Sequence, residues 1–159
     1  MQLIPVMDGV LQLPEVFRSP FLRRLCETTL ALQRGTGAGA PWLGYLAEEG
    51  GEIVGSCAFK GPPAKGRVEI AFVTFDGNTG GGLATRMAQE LIAMAQREVP
   101  GIQVTARTLP QAGPSTRILQ KLGFRQEATG AFARQGASWE WVLPAAVAQK
   151  NSVSAPVKP

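Results

Sequence analysis

Two features of this chain have residue types that could do chemistry: a glutamate inside an apolar strand pattern, and a glycine turn at a helix start. Glu69 lies in Val68-Glu69-Ile70, where strand alternation directs its carboxylate to the face opposite its two neighbours. A half-buried carboxylate of this kind can accept a proton as a general base. It can also be structural, paired with Arg67 or Lys60, because buried acids are usually paired.

The glycine turn, Gly80-Gly81-Gly82, joins a β-branched and aromatic stretch to a stretch with helical periodicity. Without Cβ atoms this backbone can turn sharply and direct several N–H groups to one point, where the helix dipole favours an anion. Leu83 and Ala84 follow instead of the lysine and hydroxyl of a P-loop, and Thr85 replaces the third glycine of a dinucleotide fingerprint. A pyrophosphate cradle and a glycine turn without a ligand both remain open.

The segment around this turn resembles the acyl-CoA N-acyltransferases of the GNAT superfamily. In that family a Gln/Arg-x-x-Gly-x-Gly/Ala turn holds the CoA pyrophosphate, and residues 79–84 fall on it. Residues 108–124 resemble the family's second half, which ends in Leu-x-Lys-x-Gly-Phe. The chain is most similar to the branch that includes the ribosomal-protein N-terminal acetyltransferases, through Gly-x-x-x-Gly-x-x-x-Phe-Lys-Gly at residues 51–61 and Val-Glu-Ile at residues 68–70.

The resemblance implies an N-acetyltransferase that uses acetyl-CoA as cosubstrate and a primary amine as acceptor, with Glu69 as candidate general base. It also implies that a backbone N–H near Val73 and Thr74 contacts the thioester oxygen. Ser115, at the start of a short helix, can hydrogen-bond to the leaving thiolate, and its alternative role is an N-terminal helix cap. The implied cosubstrate-binding residues are Phe72, Val73, Thr74, Thr79, Gly80, Gly81, Gly82, Leu83, Ala84, Thr85 and Ser115.

Three positions depart from the family's pattern. Thr79 replaces the leading amide or basic residue, Ala112 replaces an Asn that usually contacts CoA, and Leu119 stands where many members have a Tyr. Tyr45, the only tyrosine, lies on an earlier strand. A second hypothesis is therefore a weak or inactive CoA-binding domain with a regulatory or structural role. The acceptor stays open among a small-molecule amine, an antibiotic and a protein N-terminus.

Length and composition predict one globular domain. With 159 residues, 45% hydrophobic and 18% charged, the chain fits a single core, which we expect over residues 1–144 with a flexible tail over residues 145–159. The chain has no histidine, and its two cysteines lack metal spacing, which excludes the common zinc sites and histidine-dependent triads. We expect Cys57 to fill the core.

Charge and hydropathy narrow the partners and the location. The net charge of +4 is dispersed, which suits an anionic ligand such as CoA and argues against nucleic acid. No apolar run has the length of a membrane span, and the first residues do not resemble a signal peptide, so we expect a cytoplasmic protein. The expected partners are acetyl-CoA and the amine, with a homodimer as one assembly to test.

The elements that position these residues follow from periodicity and from glycine and proline. We expect an α/β (α+β) fold with a mixed, mostly antiparallel sheet of six to seven strands and helices on both faces. The expected strands are residues 3–7, 42–47, 52–60, 67–74, 102–106, 124–129 and 138–143. The expected helices are residues 14–33, broken at Pro20, 83–97 and 114–122, with a loop over residues 34–41 that borders the acceptor site in the resembled family.

Overall fold

The computed structural model describes residues 1–127 and 138–144, which form one seven-stranded sheet with helices on both faces. The strands are β1 (Gln2–Pro5), β2 (Gly44–Glu49), β3 (Glu52–Phe59), β4 (Arg67–Thr74), β5 (Gln103–Thr108), β6 (Arg125–Gln126) and β7 (Trp139–Leu143). The helices are α1 (Pro14–Arg18), α2 (Pro20–Thr36), α3 (Leu83–Glu98) and α4 (Pro114–Lys121), and a 3-10 helix, Asp8–Gln12, precedes α1.

The strand order is β1-β2-β3-β4-β5-β7-β6, and every neighbouring pair is antiparallel except β4 and β5, which are parallel. A parallel pair needs a long crossover, and α3 lies in the connection between these two strands. The expected mixed, mostly antiparallel sheet is confirmed.

Each face of the sheet buries its own apolar cluster. On one face, Met87 and Leu91 of α3 pack with Ile70 of β4, and Leu119 of α4 belongs to the same cluster. On the other face, Cys26 of α2 belongs to a second cluster that includes Leu46 of β2. All of these side chains are almost fully buried, and each large aliphatic one contributes about 1.5–3 kcal/mol by leaving water.

Helix α2 runs farther than the sequence pattern predicts. The break at Pro20 is correct, but the helix continues through residues 34–36, which were expected to be loop. Gly37 ends it in the left-handed region, at φ 68°, and donates its N–H to the carbonyls of Gln33 and Arg34. The glycines of this segment therefore belong to the last turn and its cap, so the loop is shorter than expected.

The remaining boundaries differ from expectation by a few residues. Strand β5 extends to Thr108 because Arg107 and Thr108 continue its pairing with β7, and Trp141 Nε1 donates to Thr108 Oγ1 at 3.0 Å. Within the described residues, β6 and β7 form the expected antiparallel pair. The expected tail, residues 145–159, and part of the expected strand 124–129 lie outside the described residues. Among residues 1–127 and 138–144, no helix combines the length and apolarity needed to cross a bilayer.

Candidate active site

Strands β4 and β5 pair over a short distance and then separate. Their parallel register runs from Arg67 opposite Gln103 to Ile70 opposite Ala106, whereas β4 continues to Thr74 along β3 alone. Beyond Ile70, β5 pairs only with β7. One edge of β4 is therefore open over its last four residues.

The β3 register decides which N–H groups point to that open edge. Phe75 N–H donates to Val54 O and Lys60 N–H donates to Glu69 O, so the odd-numbered residues of β4 make the ladder bonds to β3. Phe72 and Thr74 then direct their N–H groups toward the gap. The thioester contact was expected near Val73 and Thr74; of these two residues, only Thr74 directs its N–H group toward the gap, because the Val73 N–H points to β3.

The glycine turn presents a run of unbonded N–H groups. No backbone N–H of residues 79–85 donates to an acceptor within the described residues. Gly80 and Gly82 have φ of 89° and 76°, which a residue with a Cβ rarely adopts, and Gly82 is the N-cap of α3 without any side-chain cap. Residues 79–82 are exposed. The turn therefore has the geometry of an anion cradle at a helix N-terminus.

Glu69 is ion-paired, although not with the expected cation. Arg107 of β5 has its Nε 3.6 Å from Glu69 Oε1 and also contacts Glu140 Oε2 on β7. Arg67, one of the two expected partners, instead makes a bidentate pair with Glu127, at 3.1 and 2.6 Å. Glu69 lies opposite Thr105, so Arg107 reaches it diagonally across the strands.

Glu140 and Arg107 are site neighbours that the sequence reasoning missed. Burial raises the pKa of the Glu140 carboxyl above its usual range, the Arg107 charge partly offsets this, and Glu69 and Glu127 raise that pKa further. The sequence signal was the same as for Glu69: a charged residue in an apolar strand pattern, here between Trp139 and Trp141. Glu69, Arg107 and Glu140 together form a charged cluster at the point where β4 and β5 separate.

The α4 helix assigns different roles to two neighbouring hydroxyls. Gly113 is the N-cap, and the Thr116 hydroxyl both donates to Gly113 O and accepts from Gly113 N–H, each at 2.9 Å. The alternative role of Ser115 as the helix cap is therefore wrong, and its exposed hydroxyl has no partner in the described part of the chain. Leu119, at the position of the family's tyrosine, is fully buried in the core.

A cavity of about 390 Å³ lies between α2 and the sheet. Ala71 and Val73 of β4 line it, so it adjoins the open edge, and Leu32 of α2 and Val73 are 62% and 52% exposed. Its wall also includes Leu25, Thr28, Thr29, Gln33, Trp42, Ser56, Ala58, Phe59 and Lys60. A concave, mostly apolar space of this size is typical of small-molecule sites.

Cys57 lies beside this cavity but is not a nucleophile. It is 3% exposed and packs in the core cluster of the α3 face. Burial raises the pKa of its thiol to about 12, and Glu90 adds to the rise. The thiolate is therefore negligible at neutral pH, and the expectation that Cys57 fills the core agrees with its burial.

Comparison with known protein families identifies the family to which this chain belongs. Residues 12–125, more than half of the chain, match the family described as Acetyltransferase (GNAT) domain. The chain belongs to the GNAT acetyltransferase family. The ribosomal-protein branch is a finer assignment that this match does not reach. Comparison with curated proteins gives no match.

Solved structures share the fold of this GNAT domain. A GNAT family acetyltransferase from Elizabethkingia anophelis with acetyl-CoA bound has a TM-score of 0.62 at 16% identity, over 90% of this chain and 97% of that one. A GnaT-family acetyltransferase from Bordetella pertussis has a TM-score of 0.58 at 22% sequence identity, over 88% of this chain and 92% of that one. The acetyltransferase yncA from Salmonella typhimurium, with its cofactor acetyl-CoA, has a TM-score of 0.55 at 20% sequence identity, over 84% of this chain and 80% of that one.

Proposed function

We propose that this protein transfers the acetyl group of acetyl-CoA to a primary amine and that Glu69 is the general base. The open edge of β4 carries this proposal. Phe72 and Thr74 direct unpaired N–H groups into the gap, Ala71 and Val73 line a cavity on the α2 face, and Glu69 lies two residues before Ala71 on that same face. Two of the neighbouring folds bear acetyl-CoA.

The residues of the glycine turn fit the phosphates of this cosubstrate. The N–H groups of residues 79–85 have no acceptor among the described residues, and the α3 dipole favours negative charge at the same point. The pyrophosphate then lies on this turn and the thioester along the open edge of β4. There the N–H groups of Phe72 and Thr74 stabilise the negative charge that develops on the thioester oxygen.

The chemistry is a direct transfer. The amine enters from the cavity and its nitrogen forms a bond to the thioester carbonyl carbon, while Glu69 accepts the proton directly or through water. The carbon–sulfur bond breaks and the CoA thiolate leaves. A thiol with a pKa near 8.5 can leave largely unprotonated at neutral to basic pH, and Ser115, exposed at the start of α4, can donate a hydrogen bond to it.

Binding of acetyl-CoA is tested by thermal unfolding. A ligand at about a hundred times its Kd adds about 2.7 kcal/mol of stability, so acetyl-CoA should raise the Tm. Gly82→Ala should reduce this rise, whereas Gly66→Ala should keep it. The two glycines have nearly the same φ, 76° and 75°, and open space around them, so only the position in the turn differs. Absence of a rise in the wild type at millimolar acetyl-CoA would refute the cradle.

Turnover is measured as free thiol released from acetyl-CoA with a panel of amines. Glu69→Gln keeps the shape but removes the proton acceptor and should lower turnover by about 10²- to 10⁴-fold while leaving acetyl-CoA binding intact. Folding should survive because Arg107 still contacts Glu140. Glu52→Gln, at an exposed position, is the control. Unchanged turnover in Glu69→Gln would mean that Glu69 is not the base and that its role is limited to the ion pair with Arg107.

The alternative, a CoA-binding domain without turnover, predicts a different result in the same pair of assays. The departures at Thr79, Ala112 and Leu119 favour it. It requires a rise in Tm with acetyl-CoA and no thiol release with any amine. We further propose, from residues 59–61 and 68–70, that the chain is closest to the branch with the ribosomal-protein N-terminal acetyltransferases.

A further inference from the structure

Several charged residues surround Glu69 on the face of the sheet that carries the cavity, but within the described residues only Arg107 forms an ion pair with it. Lys60 lies opposite Glu69 in the β3–β4 register, yet no ion pair joins the two in the described part of the chain. Arg67, two residues earlier on the same face, is bound to Glu127. The described α2 residues that line the cavity carry no charge. Arg107 is therefore the cation in direct contact with the proposed base.

Arg107 is itself held by a buried carboxylate. Its Nε contacts Glu140 Oε2, and the Glu140 side chain is only 8% exposed, against 28% for Glu69 and 48% for Arg107. Burial raises the pKa of Glu140, and the charge of Arg107 offsets part of this rise, while Glu69 and Glu127 add to it and Arg67 opposes it. A buried carboxylate without its cation is costly. Glu140 therefore fixes the guanidinium at one point above the sheet.

The strand register places that point beside the gap. Glu69 lies opposite Thr105, and the parallel pairing of β4 with β5 ends one residue later, at Ala106, so Arg107 is the first residue of β5 beside the gap. Since side chains alternate along a strand, Arg107 and Glu69 project from the same face. The Arg107 Nε, 3.6 Å from Glu69 Oε1, therefore draws the carboxylate along the strands toward the gap, where a general base must reach the amine proton.

We propose that Arg107 is the positioning residue of the general base: held by Glu140, it keeps the Glu69 carboxylate turned toward the gap and supplies the positive charge beside it. This inference rests on the proposed acetyl transfer with Glu69 as base. Arg107 acts through Glu69 and not through acetyl-CoA. Its effect therefore belongs in kcat and in the pH dependence of turnover, and not in the affinity for acetyl-CoA.

The test measures thiol release from about pH 5 to 9 with an amine that the panel shows to be acetylated. Loss of a nearby cation makes a carboxylate harder to ionise, and partial exposure weakens the effect. Arg107→Met should therefore move the acid limb of kcat/KM to higher pH by about 0.5–1 unit. It should also lower kcat on the plateau by about tenfold through lost orientation, with the KM for acetyl-CoA unchanged.

Glu140→Gln tests the same contact from the other side. It removes a negative charge near Glu69 and keeps an oxygen that can accept from the Arg107 Nε–H, so the acid limb should move to lower pH, opposite to Arg107→Met. Arg107→Met leaves Glu140 buried without its cation, and the double variant Arg107→Met/Glu140→Gln avoids this unpaired charge. The double variant should keep the loss in kcat. Arg107→Lys retains the charge and should recover most of the wild-type pH profile.

Arg67→Met is the matched control. It breaks a bidentate arginine–glutamate pair on the same strand and face, so it should lower the Tm but leave kcat and the acid limb close to those of the wild type. A double variant with wild-type kcat would make Arg107 a structural residue and overturn the proposal. Acid limbs that move in the same direction in Arg107→Met and Glu140→Gln would overturn it as well.

Failure of this inference differs from failure of the proposed function. If Glu69→Gln loses turnover while Arg107→Met keeps the wild-type kcat and acid limb, only the positioning role is wrong. If Glu69→Gln turns over like the wild type, the assignment of the base fails first and this inference with it. If acetyl-CoA raises the Tm but no amine releases thiol, the acetyl transfer is wrong, and a positioning role in it is wrong too.

Discussion

Gly55 of β3 lies where the strand approaches β4 too closely for a side chain. A Cβ at this position would be 2.6 Å from the carbonyl oxygen of Val73 and 3.0 Å from Cε of Met87. The methionine can change rotamer, but the Val73 carbonyl belongs to the backbone that carries the open edge. Gly55→Ala must therefore move β3 and β4 apart by several tenths of an ångström.

The expected cost combines two opposing effects. Inserting a methyl group into a packed interior costs about 1–3 kcal/mol, whereas replacing glycine stabilises by about 0.4–1 kcal/mol through the unfolded chain. We expect a net loss of about 1–2 kcal/mol, which for a chain of this size lowers the Tm by about 2–8 °C. Because Val73 lies between Phe72 and Thr74, turnover should fall as well.

Urea and thermal unfolding measure the loss, with Gly35→Ala as the control. Gly35 is in α2, has no atom within 4 Å of a built Cβ and has no positive φ, so alanine there should raise stability by about 0.5–1 kcal/mol. A Gly55→Ala protein as stable as the wild type would mean that the sheet accepts the methyl group without displacing Val73. The close approach of β3 to the Val73 carbonyl would then not limit the residue at position 55.

Three further predictions concern titratable and hydroxyl groups. Burial raises the Glu140 pKa, so the unfolding free energy of the wild type relative to Glu140→Gln should be highest below about pH 4.3. This difference should fall as the pH rises through the native pKa of Glu140. A difference that stays constant from pH 4 to 8 would contradict the raised pKa. Ser115→Ala should cost less than about tenfold in turnover, whereas Thr116→Ala should cost about 1 kcal/mol of stability through the lost cap; the reverse ranking would contradict the cap assignment. Native Cys57 should resist iodoacetamide at pH 8, and rapid alkylation without unfolding would refute its raised pKa.

Local patterns in the sequence predicted the elements that carry the site. The β-branched run of β4 and the helical stripe after Gly82 are strong signals within one window of the chain, and both elements begin where expected. The side of the strand on which Glu69 lies also follows from alternation alone. These are properties of neighbours in sequence, so no tertiary information was needed.

The pairing of the charged residues could not be predicted in the same way. Arg107 meets Glu69 through the register of two strands far apart in sequence, and Glu140 enters because β7 inserts between β5 and β6. The cap of α4 shows the same limit on a smaller scale, because Ser115 and Thr116 are both suitable residues and only the backbone geometry selects Thr116. The N–H groups of β4 that lack a hydrogen-bond acceptor likewise depend on where the pairing of β4 with β5 ends.

The unequal edges of β4 should be visible in amide hydrogen exchange without any substrate. Ala71 and Val73 donate toward β3 and should exchange slowly, whereas Phe72 and Thr74, the residues next to them in sequence, should exchange quickly. Protection against hydrogen exchange would then alternate residue by residue along the end of β4. A strand that is paired on both edges would instead be protected uniformly. Ligand that occupies the gap should slow the fast amides and leave the slow ones unchanged, so a two-dimensional NMR spectrum could follow the site directly.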